Sequence, residues 1–138
     1  MKRLVDLGEH AVNLRKQGLA TTTRASDEAA STHAMFEQSW NDRANVMTSA
    51  KTMSFASFAE DRATLDAIRG QATRAAAVAA VASSAVAKSR AALSEANIEL
   101  KKLELWQGNV QGALREIENK LERTQNDETA ARSQGKKS

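Results

Sequence analysis

Along the second half of the chain, apolar residues recur at alternating spacings of three and four. With Leu65 as position a of a seven-residue repeat, positions a and d hold Leu65, Ile68, Ala72, Ala75, Ala79, Ala82, Val86, Ser89, Leu93, Ala96, Leu100, Leu103, Gln107, Val110, Leu114, Ile117 and Leu121. One register persists for eight heptads, broken only by Ser89 and Gln107, and running it backward puts Phe58 at the preceding a. A repeat of this kind keeps one helical seam facing a partner helix. Its middle is nearly all alanine, which lets two helices approach closely but buries little area. The first half is less regular. Leu4, Leu7, Ala11 and Leu14 alternate three and four apart, while Val5, Val12 and Leu19 repeat every seven. A stretch poor in large apolar residues follows, and a new apolar face begins at Phe36, Trp40, Ala44 and Met47.

These patterns predict an all-α fold: a long antiparallel two-helix coiled-coil hairpin with a longer second helix, one domain over 1–138. Helix 1 is expected over about 2–48, a turn over about 49–56, helix 2 over about 57–125, and a frayed polar tail over 126–138. The turn region has no Gly or Pro but a cluster of hydroxyl residues that compete for backbone hydrogen bonds. Ser57-Phe58-Ala59-Glu60 has the form of a capping box, and Asp61 would add favourable charge in the first turn. At 1.5 Å per residue the helices would reach roughly 70 and roughly 100 Å. About 20 residues of the longer arm, with Val110, Leu114, Ile117 and Leu121, would then lie bare, and an apolar seam of that length calls for a partner.

Composition narrows the chemistry. There is no Cys, Pro or Tyr, and 20 Lys plus Arg stand against 17 Asp plus Glu. Thiolate metal sites, disulfides and cysteine nucleophiles are excluded. His10 and His33 form no His-x-x-x-His or Glu-x-x-His pair, and the chain lacks a phosphate-cradling Gly-rich loop or a nucleophile elbow. No enzyme activity, metal or cofactor is expected. The longest low-charge stretch, Ala75 to Ala87, is 13 residues and Ala-rich, too short to span a bilayer, so a soluble cytoplasmic protein is expected. Basic charge is dispersed rather than blocked, which disfavours direct nucleic-acid binding. The aromatics cluster: Phe36, Trp40, Phe55 and Phe58 flank the turn together with Met35, Met47 and Met53. They close the hairpin tip, form a recognition patch, or do both at once with Phe58 turned inward and Trp40 outward. Trp106, beside the seam at the start of the overhang, is a second candidate contact.

Three segments resemble the FliJ family of the flagellar type III export apparatus. They are Trp106-Gln107 with Glu118-Asn119-Lys120-Leu121-Glu122-Arg123 and Asp127-Glu128-Thr129-Ala130-Ala131-Arg132, the opening Leu4-Val5-Asp6-Leu7-Gly8-Glu9, and the region from Phe58 through Leu65-Asp66-Ala67-Ile68. The resemblance implies a stalk-like coiled coil whose joined termini enter the hexameric export ATPase and promote its assembly. It also implies that the hairpin end contacts the export-gate membrane protein and that export chaperones are partners. Injectisome counterparts of the YscO/HrpO group share this plan. Carried over by residue, the ATPase-binding set would be Leu4, Leu7, Leu114, Leu121, Asp127 and Glu128. The export-gate-binding set would be Phe36, Trp40, Phe58 and Leu65. Family members often carry tyrosines near the end of helix 1 that this chain lacks, and Phe58 to Leu65 is longer than the usual Phe-x-x-x-Leu. The implied location is the cytoplasm, at the membrane-bound apparatus and held there only through partners. The alternatives are a self-associating helical scaffold or secretion chaperone without an ATPase, and a basic helical protein coating nucleic acid.

Overall fold

A computed structural model describes residues 2–49 and 54–137. They form two helices, α1 over Lys2–Ser49 and α2 over Phe55–Lys137, of 48 and 83 residues. The fold is all-α, and the longer second helix packs against the first as the heptads require. Ala50, Lys51, Thr52 and Met53, at the centre of the expected turn, lie outside the described residues.

The chain divides into two compact units, one of Met1–Val12 with Glu95–Ser138 and one of Asn13–Ser94. In the second unit the pairing is antiparallel. Thr22 Oγ1 donates to Ser89 Oγ at 3.1 Å, the Arg69 guanidinium sits 4.9 Å from the centre of the Trp40 ring, and Arg43 Nη2 reaches Asp61 Oδ1 at 3.0 Å. In the first unit Gly8 lies against Leu100 and Leu103.

Every a and d position of α2 from Leu65 through Val110 is buried or half-buried. The matching face of α1 is the seven-residue column Val5, Val12, Leu19, Ser26, His33, Trp40 and Met47, with Gly8, Thr22, Ala29 and Phe36 beside it. The stripe of Leu4, Leu7 and Leu14 is exposed. Both stripes have helical spacing; only the Val5 column continues in register to Trp40 and Met47, and that continuity decides which face turns inward. Among the described residues, the buried ones are Val12, Leu65, Ala72 and Ala75. A core this rich in methyl groups gains about 0.8 kcal/mol per buried CH₂ and must be distributed over many layers.

Two boundaries differ from the sequence reading, while the end of α1 at Ser49 lies one residue from the expected 48. First, α2 starts at Phe55, not Ser57. Ser54 is its cap: its hydroxyl oxygen accepts from the Ser57 amide at 3.1 Å, and its carbonyl accepts from the Phe58 amide at 2.9 Å. Asp61 is therefore past the first turn and serves as the partner of Arg43. At the end of α1, Thr48 and Ser49 donate back to the Ala44 and Asn45 carbonyls and carry the helix to Ser49. Second, residues 126–137 are helical rather than frayed. Thr124 and Thr129 donate to the carbonyls of Lys120 and Gln125, each at 2.9 Å, so their hydroxyls do not compete with the helix.

Allowing two charges, α2 also holds an 18-residue window of mean hydropathy 1.2, long and apolar enough by composition to cross a membrane. This window is longer than the uninterrupted low-charge stretch of 13 residues from Ala75 to Ala87. In the structure that part of α2 supplies the alanine seam.

Gly18→Ala is expected to raise stability by about 1 kcal/mol, because nothing lies within 4 Å of the added methyl and helical glycine costs about that much relative to alanine. At Gly8 a Cβ would stand 3.1 Å from Leu100 Cδ1 and 3.2 Å from Leu103 Cδ1. Gly8→Val should therefore lower stability by about 1–3 kcal/mol through overpacking. Urea titrations followed by helical circular dichroism measure both; a Gly8→Val chain as stable as its parent would contradict a close contact there.

Candidate functional site

Two surfaces carry the residues singled out in the sequence, and each belongs to a different unit. In the first unit, α2 is lined by α1 through Val110 and then bare: every side chain from Gln111 through Gly135 is exposed. Leu114, Ile117 and Leu121 are 54%, 56% and 58% exposed and continue the same a/d strip that Leu100 and Leu103 present to α1. Asp127 and Glu128 follow on the same helix, Glu128 seven residues beyond Leu121 in the same column, so the strip passes from apolar to acidic. Leu4 and Leu7 are also exposed, Leu7 at 63%, but outside the inward column of α1. The Gly8 contact puts Leu4 about level with Trp106, which is half-exposed beside the seam. Helical phase thus places Leu114 and Leu121 on one strip, and Leu4 and Leu7 on the flank and back of the adjoining helix.

In the second unit, Trp40, Phe58 and Leu65 line one recess of about 320 Å³, with Met47, Arg62 and Arg69 among its other walls. Phe36 is not with them. It lines a separate groove with Ala29, Thr32, Gln71, Ala75 and Val78. Leu65 is only 8% exposed and supports the recess from beneath, whereas Phe58 is 45% exposed. The outward assignment of Trp40 is overturned: Trp40 sits in the inward column of α1 with Arg69 over its ring, while Phe58, on the seam column and lining the same recess, is still 45% exposed. Phe58 is near the start of α2, where fewer α1 residues are available to cover it. Phe55, one turn earlier, is almost fully exposed.

Charge around the recess is paired locally. Arg43 bonds Asp61, Arg62 Nε lies 3.6 Å from Asp66 Oδ1, and His33 Nε2 lies 3.3 Å from Glu37 Oε1. Such exposed pairs contribute at most about 1 kcal/mol each. Among the described residues no group of three or more His, Asp or Glu side chains is placed to hold a metal ion. The Arg69–Trp40 stack and the Arg43–Asp61 bond escaped the sequence reading, because neither can be seen until the register between the helices is known. A signal for the Thr22–Ser89 bond was present: Ser89 interrupts the apolar repeat and meets a hydroxyl across the seam.

A helical hairpin with a heptad seam and an uncovered extension of that seam defines a coiled-coil protein. A model of the family described as Flagellar FliJ protein matches residues 1–138, and the chain belongs to that family, a component of the flagellar type III export apparatus. No match is found among curated proteins or among solved structures.

Arg69→Ala should uncover the Trp40 ring at a cost of about 0.5–1 kcal/mol. In a Trp106→Phe background Trp40 is the sole tryptophan, and its emission should shift to the red on that substitution. An unchanged spectrum would mean that Arg69 does not shield the ring.

Proposed function

We propose that this chain is the non-enzymatic central-stalk component of the export apparatus, binding the hexameric export ATPase and linking it to the export gate. The observation that carries this reading is the bare strip Leu114, Ile117 and Leu121, in register with a seam that elsewhere has a helix upon it. Leaving three large aliphatic side chains in water is unfavourable by roughly 1.5–3 kcal/mol each relative to full burial. A partner that covers them recovers that free energy.

A stalk does no chemistry; it acts by binding. If the strip, with Leu4, Leu7, Asp127 and Glu128, touches several ATPase subunits at once, it binds the ring more tightly than a free subunit. Ring assembly is then favoured by mass action, and hydrolysis rises with it. The aromatic recess of Trp40, Phe58 and Leu65, with Phe36 on the neighbouring groove, is the gate-facing surface in this reading. Export chaperones are further partners. The protein works in the cytoplasm and reaches the membrane only through these proteins.

Leu114→Asp with Ile117→Asp is expected to abolish stimulation of the cognate ATPase while leaving helical content unchanged, since neither side chain is covered by α1. Charge reversal at Glu118 and Glu122 should weaken the stimulation. Hydrolysis rates with and without each variant give the test, and full stimulation by the double aspartate variant would refute the assignment of the strip.

A further inference from the structure

The two flanks of the hairpin in the second unit differ sharply in charge. On one flank the columns beside the seam carry Lys16 and Glu37 from α1 and Arg62, Arg69 and Arg90 from α2. On the other, every seventh residue from Gly18 to Val46 and from Thr64 to Ala92 is uncharged: Gly, Ala, Thr, Ser and Val on α1, Thr, Gln, Val and Ala on α2. Two cavities fix which residues share a flank. Thr32, Gln71 and Val78 line one, and Glu37, Arg69 and Ala76 line the other.

Exposed apolar residues gather on the uncharged flank. Among the described residues, away from the tip phenylalanines, the exposed large hydrophobics of this unit are Leu14, Met35, Val46, Val78 and Val81, and all five lie in the uncharged columns or on their rims. The rims differ in charge. Glu28 and Asp42 edge the corridor on α1, and Arg74 and Lys88 edge it on α2 with Glu60 in the same column at the tip end, all five exposed, so the α2 rim is basic from Arg74 onward.

We infer that this corridor is a self-association surface and that its occupant is the same flank of a second copy of the chain. Charge complementarity selects the occupant and its orientation. A two-fold axis along the corridor lays α1 of one copy over α2 of the other, so the acidic rim runs beside the partner's basic rim. The alternative axis, across the corridor, sets acidic rim on acidic rim and basic on basic. The favoured arrangement is an isologous four-helix bundle with a floor of small side chains. The span from Leu14 to Val46 is about 50 Å of helix, two helices wide, enough for the roughly 800 Å² per partner of a standard interface. The inference stands independently of the ATPase reading, because it uses no residue of the first unit.

Sedimentation velocity on the full chain across a concentration series tests it. A dimer is expected, and Thr32→Glu with Val78→Glu should weaken it at least about a hundredfold by burying unpaired charge. Thr23→Glu with Ser83→Glu, on the opposite flank, should leave it intact. Glu28→Lys with Asp42→Lys should weaken the dimer, and adding Arg74→Glu with Lys88→Glu should restore it. Circular dichroism must show unchanged helicity in each variant. A monomer up to about 100 µM, a dimer indifferent to the corridor variant, or a dimer lost instead on Leu114→Asp with Ile117→Asp would each overturn the proposal.

Discussion

The seven-residue seam is the constraint on which everything else depends. Its layers between Leu65 and Ala82 are mostly alanine, so two backbones come close while little apolar surface leaves water. Among the described residues no side chain reaches complete burial and no polar one is buried. Stability is then a sum of many small layers rather than the property of a central core. Local interactions therefore matter more than usual: the Ser54 cap, the threonine hydroxyls that fold back on the helix, and helix propensity itself.

The same seam sets what is left bare. Because α1 begins near the level of Val110, the a and d residues beyond that point keep their apolar character without a helix to meet. An apolar strip continued past its intramolecular partner is simplest to understand as a site for another protein, and membership of the FliJ family gives it a context. The tip recess is a different kind of surface. Its aromatics are partly occupied in closing the hairpin, with Trp40 held by Arg69 and Leu65 beneath, so Phe58 presents most of the accessible ring area.

Much of this was legible in the residues. The register of α2, the helical class, the bare strip and the family followed from spacing and from short motifs. The inward face of α1 was harder. Two helical stripes start within one residue of each other at Leu4 and Val5, and the correct one passes through Ser26 and His33, residues that give no apolar signal. The start of α2 was misplaced because Ser57-x-x-Glu60 looks like a better cap than Ser54, and only the backbone shows which serine stands outside the helix. Exposed partners such as Arg43 and Asp61 are invisible in one dimension, since either could pair with several neighbours until the strands of the coil are aligned.

The hydroxyl pair of Thr22 and Ser89 has a consequence for alignment. A run of alanines offers little to distinguish one pairing from another displaced by a full heptad. Sliding the helices by that step would leave Thr22 facing Ala82 or Ala96, its hydroxyl without this partner, and would pull Arg69 away from Trp40. The Thr22 hydroxyl also lies 3.1 Å from the Gly18 and Leu19 carbonyls, so a slipped state would forfeit the cross-seam bond without leaving that hydroxyl unsatisfied, and the polar layer favours the native alignment modestly. The second unit thus keeps smooth, closely approaching helices and a preferred alignment together.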